Sequence, residues 1–211
     1  MDKNLQSELQ TVSEKLKNLH TDYWNQYIFS WEWYLLLGIL IVPWLIVVLL
    51  FRHQRLKKAE YAIFTLLVSF LASLLDQLGL GFNLFLYPIK IIPAFHTFLP
   101  GSLSVFPTVL LLLFHYYYTN SMKFFAGVMF FAAATSFIAQ PLLVYWDMYE
   151  INRWHYTASF VTTVFIAAAA RYLTNKITIT SPLKKKPSSS KIKKIKISMR
   201  WFKQKARKTT G

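Results

Sequence analysis

Long apolar runs separated by short polar stretches are the dominant pattern along this chain. Five runs are candidates for membrane spans, and they cover about residues 34–51, 59–78, 103–118, 123–146 and 155–173. Each is close to the roughly 17–25 residues that a helix needs to cross a hydrocarbon core about 30 Å thick. Because lipid offers no partner to an unpaired backbone group, each run predicts a transmembrane helix, and together they predict a helical bundle over residues 34–175.

One further apolar segment, residues 81–100, has the sequence GFNLFLYPIKIIPAFHTFLP. Three prolines, at positions 88, 93 and 100, and the charged Lys90 interrupt it, and such residues break helices or avoid lipid. Broken backbone at membrane depth is tolerated only where protein or a water-filled cavity surrounds it. We therefore predict a re-entrant or interfacial element here rather than a sixth span.

The first 33 residues form a polar lead that contains one apolar stripe. Its members recur at spacings of four, three, four and three, and they are Leu5, Leu9, Val12, Leu16 and Leu19. This spacing predicts an amphipathic helix that rests on the membrane or on the protein itself. Self-association through residues 5–19 is the alternative, although the stripe is just over two heptads long. The Trp and Tyr residues between positions 23 and 34 indicate an interfacial belt before the first span.

The composition agrees with a membrane protein, since 55% of the residues are hydrophobic and only 16% are charged. Soluble domains carry about 25% charged residues. The predicted fold class is therefore an all-α integral membrane protein, with about five transmembrane helices, the proline-broken segment, the amphipathic helix and a C-terminal tail. The absence of cysteine excludes disulfides and thiolate metal sites.

The formal net charge of +15 is concentrated near the C-terminus. Of the 24 Lys and Arg residues, fourteen lie from Arg171 onward, where Asp and Glu are absent. Basic loops favour the cytoplasmic side, which places residues 52–58 and the basic tail, residues 176–211, in the cytoplasm. An even number of crossings must join these two segments, so residues 81–100 should not cross. The N-terminus, Asp147 and Glu150 are then expected outside, in a topology with five spans.

The tail predicts a membrane-surface helix, because Ile192, Ile195, Met199 and Phe202 share one helical face among basic residues. Its partners would be anionic lipids of the inner leaflet. The basic and aromatic residues expected to bind that surface are Lys191, Lys193, Lys194, Lys196, Arg200, Trp201 and Lys203. A disordered tail that only reinforces topology is the alternative. Nucleic acid is not the expected partner of the tail, because Trp201–Phe202 is the only aromatic pair in it that is suited to base stacking.

Asp76 is the first candidate for chemistry, since an ionisable group within a membrane segment is by default a functional hypothesis. It lies near the outer end of the second predicted span, where it could instead cap a turn or pair with Lys90. His96 has no acidic or histidine cluster around it and is expected to be hydrogen-bonded rather than a metal ligand. The full set of predicted pocket residues is Asp76, Asn83, Tyr87, Lys90, His96, Gln140, Tyr145 and Trp146.

Gln140 precedes Pro141 within the fourth predicted span. Proline frees a backbone carbonyl one turn earlier, and Gln140 could satisfy that carbonyl or bond a neighbouring helix. Neither a metal nor a cofactor is predicted. The Walker loop, GxGxxG, HExxH and GxSxG motifs do not occur in the sequence.

Three strings carry a family resemblance: DYWNQYIFSWEWYLLLGILIVPW, SLLDQLGLGFNLFLYPIKIIPAF and SFIAQPLLVYWDMYEINRWHY. Together, over residues 5–175, they resemble a family of small multi-pass membrane proteins of unknown function from endospore-forming Gram-positive bacteria. The resemblance implies a bacterial cell membrane location and a compact helical bundle, and it brings no activity or cofactor. It also implies an acid at the position of Gln140, so a proton or cation role of this position is doubtful in this chain. The basic tail would be an extension beyond the core that the family shares.

These observations favour a non-enzymatic binding or assembly component with a pocket on the outer face. The first alternative is a membrane-embedded enzyme that acts on a lipid or isoprenoid, with Asp76 as the acid or base. The second is a small transporter or channel, which would need Asp76, Gln140 and His115 to line up across the bundle.

Overall fold

The structure is a computed structural model that describes residues 3–52, 58–92, 95 and 97–180. The described part is almost entirely helical. Its α-helices are α1 (Lys3–Tyr27), α2 (Trp31–Phe51), α3 (Lys58–Gly81), α4 (Phe106–Tyr116), α5 (Ser121–Ala134), α6 (Gln140–Tyr145) and α7 (Tyr156–Thr180). Two π-helical turns, Gly101–Val105 and Thr135–Ala139, lead directly into α4 and α6. Two short strands, β1 (Phe85–Leu86) and β2 (Glu150–Ile151), pair antiparallel.

Four helical segments are long and apolar enough to cross a membrane: Trp31–Phe51, Ala59–Gly81, Ser121–Tyr145 and Tyr156–Thr178. They coincide with four of the five predicted spans. The remaining one is the shorter apolar helix Gly101–Tyr116. At about 1.5 Å per residue its length is roughly 24 Å, less than the thickness of a hydrocarbon core.

The helix ends differ from the predicted ones by a few residues, and at the start of α2 a capping residue accounts for the difference. The first predicted span begins at residue 34, whereas α2 begins at Trp31, since the Ser30 hydroxyl accepts a hydrogen bond from the Trp33 amide at 3.3 Å. The last predicted span ends at residue 173, whereas α7 continues to Thr180. The tail residues from 181 onward, including the predicted membrane-surface set, lie outside the described residues.

The helices pack around an aromatic core. Phe64 on α3 stacks on Phe114 of α4 with ring centroids 4.3 Å apart and planes within 6°, and Phe124 of α5 meets both rings edge-on. Small residues of α7, Ala167 and Ala170, complete this fully buried layer. The layer lies between the two ends of the bundle, and each end has its own polar contacts.

One end of the bundle is closed by residues 82–98, which we call the cover; within it, positions 93, 94 and 96 are outside the described residues. The indole N–H groups of Trp24 and Trp33 both donate to the Ile91 carbonyl, at 3.0 and 3.2 Å. Strand β1 of the cover pairs with β2, which precedes α7. The cover therefore lies at the end where α1 and α3 finish and where α2 and α7 start.

The opposite end is linked through Tyr118. Its hydroxyl donates to Glu60 at 2.7 Å, and its carbonyl accepts from the Arg171 guanidinium at 3.2 Å. Arg171 also donates to Ser121 at 3.1 Å and lies 4.3 Å from the Phe124 ring centroid, a cation–π arrangement. These contacts join the start of α3, the end of α4, the start of α5 and α7, so α2, α3, α4, α5–α6 and α7 alternate in direction.

The apolar stripe of α1 is exposed, with every member at least half accessible. The sequence left open whether this helix rests on the membrane or on its own protein, and the stripe does not rest on the described part of the chain. Helix α1 also extends to Tyr27, so Tyr23 and Trp24 of the predicted aromatic belt belong to it. Trp24 is a packing residue as well, because it bonds the cover.

Gly79 and Gly81, near the end of α3, form a matched pair for testing the cover. A Cβ at Gly79 would collide with the Phe85 ring, which is 5% exposed and wedged among other rings, whereas a Cβ at Gly81 meets nothing within 4 Å. We expect Gly79→Ala to destabilise the protein by about 1–3 kcal/mol through overpacking. Gly81→Ala should be neutral or stabilising by up to about 1 kcal/mol, because alanine favours helix. Thermal unfolding of both variants in detergent is the measurement, and equal midpoints would contradict the packing.

Candidate functional site

Two left-handed residues turn the chain so that the cover and the loop before α7 meet. Asn83 (φ 51°) follows α3, where the Leu84 amide bonds back to the Gly79 carbonyl at 2.9 Å. Asp147 (φ 54°) follows α6, where the Met148 amide bonds back to Leu143 at 2.9 Å. Asn and Asp tolerate this conformation better than other residues with side chains. Each turn is followed by one strand of the β1–β2 pair.

Asp76, on the last turns of α3, fastens the cover to the bundle. One carboxylate oxygen accepts from the Tyr87 hydroxyl at 2.8 Å, and the other accepts from the Phe98 amide at 2.7 Å. The Tyr87 ring is stacked between Phe98 and Tyr149, with centroids 5.0 and 5.3 Å away. Both oxygens of the only acid in this part of α3 therefore hold the segment that follows the helix.

The suggested pairing of Lys90 with Asp76 is not found. Asp76 takes neutral donors from Tyr87 and Phe98, and among the described residues no ion pair joins it to Lys90. Lys90 instead borders a small hollow beside Leu36 and Thr97. Burial lowers the pKa of Lys90 from its usual value. A carboxylate already bonded by two donors gains less from a distant cation, which accounts for the difference.

The phenols around Asp76 remain protonated over the physiological range. Burial, followed by the nearby Asp76 charge, raises the pKa of Tyr87 well above its ordinary value. The pKa of Tyr149 is raised by the same two causes in the same order. The Tyr87 hydroxyl is thus fixed as a hydrogen-bond donor.

A cavity of about 500 Å³ lies beneath the cover. Its walls come from α2, α3, α6, α7 and both π-helical turns, and most of its lining is apolar. Its volume falls within the roughly 300–1,000 Å³ typical of small-molecule sites. Asp76 and Tyr87 are at its covered end, together with Tyr149 and Trp154.

Both π-helical turns border the cavity, through Gly101, Ser102 and Val105 in the first and Thr135 and Ala139 in the second. Each turn is followed at its second residue by a proline, at positions 107 and 141. A proline ring clashes with the carbonyl four residues earlier, and a π-helical turn relieves that clash by widening the helix. Such turns occur frequently at functional sites. The two prolines thus account for helix distortions on two walls of the same cavity.

Most polar groups around the cavity are already hydrogen-bonded within the protein. Ser102 and Thr135 donate to carbonyls of the preceding turn at 3.1 and 3.0 Å, and the Trp154 indole donates to Ser159 at 2.7 Å. Gln140 differs: its Oε1 is buried without a partner, and its amide makes no hydrogen bond to the described part of the chain. The expected bond from Gln140 to a freed carbonyl or a neighbouring helix is therefore not observed.

The structure gathers half of the predicted pocket residues around the cavity, namely Asp76, Tyr87, Gln140 and Trp146. Asn83 is instead a turn residue that accepts a hydrogen bond from Asn152 at 3.1 Å. Tyr145 points away and is 80% exposed. Lys90 borders the separate hollow, and His96 lies outside the described residues.

The prediction missed the contribution of α7, whose Ser159, Thr162 and Thr163 line the cavity. Their spacing of three and four residues places them on one helical face, which is the signal that could have revealed them. Tyr149 and Trp154 also line the cavity and were not in the predicted set. Both pack against Phe85 of the cover, with ring centroids 5.6 and 5.7 Å away.

The alignment required for a transporter is not present. His115 lies at the opposite end of the bundle, where its Nδ1 is 2.9 Å from the Tyr61 hydroxyl and its ring meets Phe51 edge-on. The fully buried Phe64 and Leu110 lie between this pair and the cavity. Within the described residues, no group of three or more His, Cys, Asp or Glu side chains could hold a metal ion.

Comparisons of the chain with protein-family models, with curated proteins and with solved structures find no match. The family resemblance drawn from the sequence therefore stays an expectation. The interpretation of the cavity rests on its own geometry.

Asp76→Asn tests whether this carboxylate holds the cover. The amide replaces one acceptor oxygen by a donor that faces another donor, so we expect a loss of about 1–3 kcal/mol in stability. Tyr87→Phe removes a single hydrogen bond and should cost about 0.5–1.5 kcal/mol. Amide hydrogen exchange in the cover should be faster in Asp76→Asn than in Tyr87→Phe. Thermal unfolding should show the larger loss of stability in Asp76→Asn. Tyr145→Phe is the control, and an unchanged exchange rate in Asp76→Asn would disprove the role.

Proposed function

We propose that this chain is a multi-pass membrane protein that binds a ligand in the cavity beneath its cover, in a non-enzymatic binding or assembly role. The observation that carries the proposal is the roughly 500 Å³ cavity, which is apolar and closed at one end by a hydrogen-bonded segment. A cavity with an apolar lining and a few placed polar groups is the usual form of a small-molecule site.

The proposed topology has five crossings, an N-terminus outside and a C-terminus in the cytoplasm of a bacterial cell membrane. It is supported by the alternating helix directions and by the cover, which begins and ends at the same end of the bundle. The acidic Asp147 and Glu150 lie at the cover end, whereas Arg52, which follows α2, lies at the other. The shorter Gly101–Tyr116 helix is the third crossing in this proposal, and the cover supplies protein above it.

Cysteine labelling tests this topology directly, since the chain has no cysteine of its own. In intact cells, a membrane-impermeant maleimide should label Glu150→Cys and should leave Ser189→Cys unlabelled. In permeabilised cells both variants should be labelled, which is the control for the reactivity of the two cysteines. Labelling of both positions from the same side would overturn the five-crossing arrangement.

A matched pair of alanine variants tests ligand binding. Ala139, in the second π-helical turn, and Ala126, on α5, are both exposed, and of the two only Ala139 borders the cavity. Ala139→Phe should obstruct the cavity and reduce the amount of co-purifying ligand severalfold, because an aromatic ring takes up much of the space. Mass spectrometry of the purified protein is the measurement. Ala126→Phe should behave like the wild type, and equal ligand in both variants would argue against the cavity.

The enzyme alternative retains one supporting observation, which is that Asp76 borders an apolar cavity. Its two oxygens are however occupied by Tyr87 and Phe98, so an acid or base role would require the cover to release it. A lipid product that forms with the wild type and not with Asp76→Asn would favour the enzyme. Tail binding to anionic lipids and self-association through residues 5–19 both stay predictions.

A further inference from the structure

We infer that the ligand of the cavity is an uncharged, single-chain lipid with a hydroxyl headgroup, and that it reaches the cavity sideways from the bilayer. This inference rests on the proposed function and specifies the chemistry of the molecule bound. Three features of the described residues support it: the exposed apolar side of the cavity, the absence of cations in its lining, and the unpaired amide of Gln140.

The side of the cavity is bordered by exposed apolar residues rather than by polar ones. Leu78 at the end of α3 is 47% exposed, Phe82 at the start of the cover 71%, and Leu142 of α6 45%. In a membrane, side chains of this kind face hydrocarbon. The end that faces away from the bundle is occupied instead by the stacked Tyr87 and Phe98, held by Asp76. The open side is therefore the lipid-facing one.

The lining favours an uncharged molecule. No Lys, Arg or His among the described residues borders the cavity, and its one charged side chain is the acid Asp76. A carboxylate or phosphate placed beside Asp76 would lose its hydration and gain repulsion rather than a counter-charge. The volume of about 500 Å³ suits a ligand of drug size, which corresponds to one apolar chain rather than to a whole phospholipid.

Gln140 provides the headgroup contact. Its amide lacks a hydrogen bond to the described part of the chain, although the side chain borders the cavity. A hydroxyl both donates and accepts, so it can pair with either end of an amide, whereas an ester lacks the donor. The lining hydroxyls of Ser102 and Thr135 already donate to their own helices. Among the described lining residues, the Gln140 Oε1 is the only buried side-chain polar atom without a partner, and we assign the headgroup contact to it.

The test uses the full chain in nanodiscs and a photoreactive long-chain alcohol, with cross-linked peptides mapped after irradiation. Unlabelled competitors share one chain and differ only in their headgroup, which is a hydroxyl, a methyl ester or a carboxylate. We expect cross-links at cavity residues, with the alcohol competing about two- to tenfold better than the ester and better still than the carboxylate. Gln140→Leu should remove the preference for the alcohol over the ester while cross-linking persists.

Gln77→Leu is the matched control, because Gln77 is exposed on α3 and does not border the cavity. This variant should keep the full preference. Two results would overturn the inferred ligand while leaving the proposed binding function intact. One is cross-linking in the cavity with a carboxylate that competes as well as the alcohol. The other is a preference for the alcohol that survives in Gln140→Leu. Cross-links that avoid the cavity with every probe and do not change in Ala139→Phe would instead overturn the proposed function itself.

Discussion

A carboxylate near the end of an apolar helix must find hydrogen-bond donors, and Asp76 finds both of them in the segment that closes the cavity. The Tyr87 hydroxyl and the Phe98 amide come from two separate parts of the cover, so one side chain holds the segment at two points. Charged acceptors bonded in a low-dielectric setting form stronger hydrogen bonds than neutral ones. The stacked rings, the β1–β2 pair and the covered cavity all depend on the cover being held in this place.

The sequence predicts the helices well because run length and hydropathy report directly on membrane-sized segments. It also singles out Asp76, Tyr87, Gln140 and Trp146, since polar or amphipathic residues are uncommon within or beside such runs. The path of the cover follows from contacts far apart along the chain, such as Trp24 with Ile91, and these leave no periodic signal. The possible pairing of Lys90 with Asp76 is not found, because the Tyr87 hydroxyl and the Phe98 amide bond both carboxylate oxygens, and formal charge takes no account of such neutral donors.

The polar link at the opposite end illustrates a second limit of sequence reasoning. Arg171 counts among the basic residues that assign the tail to the cytoplasm, yet it is 7% exposed and bonded to Tyr118 and Ser121. Glu60, equally buried, meets the same tyrosine. The charge count includes Arg171 in the basic C-terminal stretch, whereas the fold uses Arg171 and Glu60 to join helices. Burial and partners, which only the three-dimensional arrangement provides, decide between the two roles.

The Ile91 carbonyl has a consequence for how motion passes through the molecule. Its two lone pairs are taken by the indoles of Trp24 and Trp33, one from α1 and one from α2. A force that swings the exposed α1 helix acts on the cover through one of these bonds, while the other anchors the same atom to the bundle. These two bonds join α1, α2 and the cover at a single atom, so we expect a displacement of α1 to be passed to the segment that covers the cavity.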